Sequence, residues 1–207
     1  MARDTHSIVK MSRREGYALH PKAHKALVKR TTLPGQQNSG GRGRPAKASQ
    51  YSLQLREKQK VKRLYGLLEK QFSNLMKEAS RKEGQSGTVL LELLERRADN
   101  VVYRAGFASS RRAARQLVTH GHFMLNGRRV DVPSIRVRPG DELVVRTKSQ
   151  QSEYFKKLDD VSPAPSTTPA WMQVNRKKYS VAVSGAPVRD DAEPDINDQL
   201  IVEYYSR

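Results

Sequence analysis

The sequence predicts an α+β fold. An N-terminal helical domain should carry a small α+β module of short helices and antiparallel strands, and a C-terminal segment should pack back on the helical part. Three observations carry this expectation. Apolar residues recur at spacings of three and four between residues 49 and 95, which marks amphipathic helices. The stretch SSRRAARQLVTHGHFMLNGRRV (109–130) passes from helical rhythm to alternation and holds Asn126-Gly127, a hairpin-turn signal. The end, INDQLIVEYYSR (196–207), is apolar enough to dock on a core. The expected divisions are a basic loop-rich extension (1–48), the helical domain (49–95), the module (96–160), and a linker with short strands and the docking segment (161–207).

Charge points to the kind of partner. Formal net charge is +18, a surplus that repels itself and favours a polyanion. Nucleic acid is the first candidate and an anionic membrane the second. Residues 1–60 carry 14 basic and 3 acidic residues, whereas 151–207 carry 7 and 9. The binding surface is therefore expected before residue 150, with a tail that is structural or protein-facing. There is no cysteine, so disulfides and thiolate metal sites are excluded. The N-terminus MARDTHSIVK lacks the apolar core of a secretory signal, and a cytoplasmic protein is expected.

Taken in order, the loop PGQQNSGGRGRPAK (34–47) has too little apolar surface to order itself. On a polyanion its glycines would let the backbone approach while Arg42, Arg44 and Lys47 reach phosphates. From Ser49, the residues Val61, Leu64, Tyr65, Leu68, Phe72, Leu75, Met76 and Ala79 read as one apolar stripe. Arg56, Lys58, Lys60, Lys62, Arg63 and Lys70 fall largely off it. Gly84 and Gly87 break the chain before a second helical run through Val89, Leu90, Leu93, Leu94, Val101 and Val102.

Ser109 or Ser110 suits an N-cap, a short helix should run to His120, and Gly121 suits the left-handed position after it. Ala113, Ala114, Leu117 and Val118 form its inner face. Arg111, Arg112 and Arg115 share the other side, with no carboxylate between residues 100 and 130. A strand at 122–125, a return strand beginning Arg128-Arg129, a turn at Pro139–Asp141 and a strand at 142–146 follow. A solvated arginine face is the plain alternative. One-sided placement, and arginine rather than lysine, favour RNA or DNA. On that reading the double change Arg112→Glu, Arg115→Glu should weaken binding at unchanged melting temperature. SPAPSTTPA (162–170) reads as a linker, and 171–174 and 179–183 as short strands or edges.

No catalytic constellation is present. GxxxxGK[ST] and GxGxxG loops are both absent from the sequence, so no enzyme and no cofactor are expected. His20 and His24 have the i, i+4 spacing of a helical metal pair, and His120 and His122 bracket Gly121. Without acidic companions they read as phosphate neighbours or surface residues, and no metal is expected.

Residues 93–145, LLERRADNVVYRAGFASSRRAARQLVTHGHFMLNGRRVDVPSIRVRPGDELVV, resemble the RNA-binding domain named after small-subunit ribosomal protein four. That domain also occurs in pseudouridine synthases, tyrosyl-tRNA synthetases and heat-shock RNA binders. SRREG (12–16), QLREKQKVKRLYG (54–66) and DINDQLIVEYYSR (195–207) narrow the likeness: nearly the whole chain resembles the bacterial-type family of that ribosomal protein.

The resemblance implies an RNA-binding module inserted in the helical domain. It implies a structural constituent of the small ribosomal subunit that binds the five-prime domain of 16S-type rRNA and nucleates assembly. It further implies a place at the mRNA entry channel beside small-subunit ribosomal proteins three and five, with a role in translational accuracy, no membrane and no homo-oligomer. Under it, Arg13, Arg14, Arg56, Lys58, Lys62, Arg63, Arg111, Arg112, Arg115, Arg128 and Arg129 are the expected rRNA contacts. Arg42, Arg44 and Lys47 are the expected channel residues. The sequence departs from the family at DTHS (4–7) and PGQQNSG (34–40), and lacks the four-cysteine zinc knuckle of some members. An RNA-modifying enzyme with an appended module, or a stand-alone RNA chaperone or repressor, are the competing classes. The helical first 90 residues leave little chain for a catalytic domain.

Overall fold

A computed structural model of the chain describes residues 4–30, 32–35 and 48–206. The helices are α1 (Ile8–Glu15), α2 (His24–Lys29), α3 (Gln50–Leu64), α4 (Glu69–Ala79), α5 (Ser86–Glu95), α6 (Ala98–Arg104) and α7 (Arg111–Thr119), then the one-turn α8 (Thr147–Gln150), α9 (Glu153–Lys156) and α10 (Leu158–Val161), and finally α11 (Asp198–Tyr205). The strands are β1 (Phe123–Leu125), β2 (Arg128–Val130), β3 (Glu142–Val145), β4 (Met172–Asn175) and β5 (Ser180–Val183). The fold is α+β, as the sequence predicts. The chain forms two compact units, one made from its two ends (residues up to Gly87 and from Asp195 on), the other from Thr88–Pro194.

In the first unit the single apolar stripe expected from Val61 to Ala79 is divided between two helices, α3 and α4. Gly66 takes φ +66, open to glycine without a Cβ clash. The Gly66 N–H donates to the Arg63 carbonyl (3.1 Å) and the Leu67 N–H to the Lys62 carbonyl (2.9 Å), which closes α3 in a Schellman cap. The break shifts the phase of the stripe. Leu67 becomes buried, and Leu68, which the stripe includes, becomes the N-cap of α4. Residues 4–30 are also more ordered than a loop-rich extension. In α1, the Ser12 hydroxyl donates to the Ile8 carbonyl (2.8 Å) and accepts from the Leu19 N–H (3.3 Å), and Met11, Leu19 and Ala23 are buried. Three apolar anchors are too few to show a period.

The last helix, α11, packs along α3. Ile201 is fully buried, Gln54 Nε2 donates to Glu203 Oε2 (2.8 Å), and the Asn197 N–H donates to Glu57 Oε1 (2.9 Å). Asp198 sits so close to Gly87 that a Cβ there would lie 2.4 Å from its Oδ2.

In the second unit the five strands form one antiparallel sheet in the order β2-β1-β3-β5-β4. Its core gathers Val102, Phe107, Val118, Phe123, Leu143, Phe155, Trp171 and Val181, among others. β4 and β5 lie in the stretch the sequence assigns to the C-terminal segment, yet they pair with β3, so the unit runs to Pro194. The alternation of Val181 and Val183 (buried) with Ala182 (exposed) suits that edge of β3.

Candidate nucleic-acid interface

The helix α7 forms because Ser110 caps it, its hydroxyl accepting from the Ala113 N–H (3.3 Å), and because alanines fill its interior. Ala114 and Val118 are fully buried and Ala113 and Leu117 pack on the core, which leaves the arginines on the other faces. It ends at Gly121, φ +70, where the Gly121 and His122 N–H groups donate to Val118 (2.8 Å) and Leu117 (3.3 Å) carbonyls.

The following hairpin is tight. Leu125 pairs with Arg128 across Asn126 (φ 48) and Gly127 (φ 78), a type I′ turn. The tip is clamped: Asn126 Nδ2 donates to Asp141 Oδ1 (2.8 Å) and Asn126 Oδ1 accepts from the Glu142 N–H (2.8 Å). The Arg128-Arg129 pair at the start of β2 is therefore held on a rigid turn. Both side chains are exposed. Strand alternation sends them to opposite faces: Arg128 to the face of Val130, Arg129 to the end of α7, against Gly121. Of the pair, only Arg129 lies beside the helix. Leu125, Asn126, Arg128, Arg129, Val130 and Ile135 line a shallow depression there.

The three arginines of α7 do not project together. Arg112 is exposed. Arg111 turns inward: its Nε donates to Asn100 Oδ1 (2.9 Å), its Nη2 to Glu193 Oε1 (3.1 Å), and its guanidinium lies 4.6 Å from the Tyr103 ring centroid. Arg115 lies 4.0 Å from Asp99, which also pairs with the buried Arg97 (2.9 Å). Burial pushes the Arg115 guanidinium down in pKa, against the pull of Asp99. The carboxylates that engage these arginines, Asp99 and Glu193, come from outside the acid-free window that the sequence shows.

The first unit behaves similarly. Arg14 is exposed, and Arg13 Nη2 donates to the Thr32 carbonyl (2.7 Å). Arg56 (3.2 Å) and Arg63 both bind Glu15, whose side chain is fully buried. Burial pushes the Glu15 carboxyl up in pKa, against both arginines. Lys58 and Lys62 each lie 2.7 Å from Glu69, and Lys58 is 4.5 Å from the Tyr204 ring centroid with a side chain only 4% exposed. Lys58 thus spans α3, α4 and α11. Arg42, Arg44 and Lys47 lie outside the described residues.

His20 is not a helical partner of His24. Its Nδ1 accepts from the Lys22 N–H (3.0 Å) ahead of α2. Among the described residues no group of three or more His, Asp or Glu could hold a metal ion, and no helix is long and apolar enough to cross a membrane. Sequence reasoning left Arg146 out. The β1–β3 register, Phe123 opposite Val145, brings it beside His122, and no local pattern reports a register.

The serine-capped helix, the glycine corner and the clamped hairpin with its exposed arginines fall within a segment that matches a class of RNA-binding domain, the S4 domain. The chain matches the family described as "S4 domain" over residues 96–143 and that described as "Ribosomal protein S4/S9 N-terminal domain" over residues 3–95. It is 49% identical to the small ribosomal subunit protein uS4 of Chlorobium limicola and 49% identical to that of Clostridioides difficile, each over 100% of both chains. With the uS4 of Roseiflexus castenholzii it shares 48% identity, again over the full length of both. The chain belongs to the small ribosomal subunit protein uS4 family. That is a family of ribosomal structural proteins, not of enzymes, and its place is the small subunit in the cytoplasm, bound to rRNA.

Proposed function

We propose that the chain binds the five-prime domain of 16S-type rRNA early and nucleates subunit assembly there. The reading extends to the mRNA entry channel, where Arg42, Arg44 and Lys47 would act on messenger structure, and to neighbours among small-subunit ribosomal proteins three and five, through which it would influence accuracy. The observation that carries the rRNA part is the division of the arginines. Arg111 and Arg115 are turned onto Glu193 and Asp99, while Arg112, Arg128 and Arg129 remain exposed around a rigid hairpin. With Arg14 they are the phosphate contacts this reading prefers. Backbone contact of this kind releases counterions and reads RNA shape and 2′-hydroxyls.

The test is binding of the full chain to the five-prime domain against an equal-length unrelated structured RNA, across a salt series. A preference that survives physiological salt is expected. Equal binding that disappears with salt would overturn the assembly reading. For the channel, replacing Arg42, Arg44 and Lys47 with alanine in reconstituted subunits should slow translation of structured messengers more than unstructured ones. An equal effect on both would remove that role.

A further inference from the structure

The corner between α7 and β1 gathers positive groups that the second unit does not neutralise. The Arg129 guanidinium lies over Gly121, so closely that a Cβ on that glycine would come within 2.4 Å of Nε and 2.6 Å of Nη2. From the other side Arg146 Nη1 donates to the Gly121 carbonyl (3.3 Å), and the Arg146 N–H donates to the His122 carbonyl (2.9 Å). The imidazoles of His120 and His122 flank the glycine with centroids 6.0 Å apart. His122 is fixed by Ser149 Oγ at 3.0 Å from its Nδ1 and by the ring of Phe155, 6.0 Å away at 63°.

Among the described residues none of these four side chains is in an ion pair with a carboxylate, whereas Arg97, Arg104, Arg111 and Arg115 each are. The charges acting on His122 are His120, at the end of α7, and Arg146, just beyond β3, and both are basic. Burial, then these two neighbours, push its pKa below the ordinary imidazole value. Two guanidiniums beside two protonatable imidazoles, none in an ion pair with a carboxylate, are complementary to an anion from outside the fold. Arg129 and His120 are exposed, so the corner is reachable.

We propose that Arg129, Arg146, His120 and His122 form a seat for one RNA backbone phosphate around Gly121, and that the His122 imidazole takes up a proton as the phosphate enters. This rests on the RNA-binding reading above. A phosphate beside an imidazole stabilises the imidazolium. The histidine pKa is thus higher in the complex than in the free protein. The added affinity is fully present below the free-protein pKa and is lost as pH rises through the higher pKa of the complex.

The experiment measures binding of the full chain to the five-prime-domain RNA at constant ionic strength from about pH 6 to about pH 8, the range in which imidazoles titrate. Affinity should rise roughly three- to tenfold toward the acid end, up to one proton's linkage per pH unit. In His120→Gln/His122→Gln this slope should vanish. A flat profile for the unchanged protein, or the same slope in the double variant, overturns the seat. A second readout guards against a variant that folds poorly: the NMR pKa of His122 in the unchanged protein should rise on adding RNA, and an unmoved value overturns the proposal. The seat takes any backbone phosphate, so its pH slope should also appear with the unrelated RNA. Failure of five-prime-domain preference is therefore distinguishable from failure of the seat.

Discussion

Arg112 and Arg115 lie three residues apart on one helix and have opposite fates. Arg112→Glu reverses an exposed charge and should weaken rRNA binding about tenfold, read in the same salt-series assay. Arg115→Glu places a carboxylate beside Asp99 and leaves that buried acid short of a cation. It should cost about 3 kcal/mol, read in urea unfolding. The double change expected from sequence to spare stability should therefore lower it. Glu69 makes a second argument at this scale. Burial pushes its carboxyl up, but hydrogen bonds from Lys58, Lys62 and Tyr205 outweigh that and hold it at about 2, below the ordinary 4.5. A lowered folded-state pKa adds stability above the unfolded value and loses it as pH falls through the folded value. Glu69→Gln should thus destabilise the protein at neutral pH and flatten its acid unfolding between 4.5 and about 2. An unchanged acid profile would show that Lys58 and Lys62 do not depend on this carboxylate.

Among elements, the α7–β1 corner is tightly constrained. Gly121 has a left-handed φ and carries Arg129 over its Cα. Gly121→Ala should cost about 1 kcal/mol from backbone conformation alone. It should also displace the guanidinium, so rRNA affinity falls while far-ultraviolet circular dichroism stays the same. Retained affinity would place Arg129 outside the contact. The Asn126-Gly127 hairpin and the Ser110 cap follow from short-range chemistry, and both form where the sequence puts them. The stripe from Val61 to Ala79 misleads because apolar spacing records which residues are buried, not where the axis bends. Gly66 within it was the available signal.

At the level of the whole molecule, the chain's two ends meet in one unit, and residues 88–194, which lie between them in sequence, form the other. Ile201 fixes that meeting by burial in α11. Ile201→Ala should cost about 2–4 kcal/mol, measured by urea unfolding, and a cost within experimental error would mean α11 contributes little. The overall surplus of +18 predicts a steep fall of rRNA affinity with salt. Arg112→Glu should make that slope shallower, whereas a stability variant such as Ile201→Ala should not.

The sequence by itself determined the α+β class, the α7 helix with its cap and glycine stop, the hairpin, the docking C-terminus and the family. All of these rest on patterns a few residues long or on likeness along the chain. Only the tertiary structure decided which basic residues remain available for a polyanion. The acids that engage them, Glu15 for Arg56 and Arg63, Glu69 for Lys58 and Lys62, Glu193 for Arg111, are brought in by chain folding. Separations of 41 residues (Arg56–Glu15) and 82 residues (Arg111–Glu193) leave no local trace. An ion pair is set by distance in space, and helical periodicity reports only which face of its own helix a residue occupies.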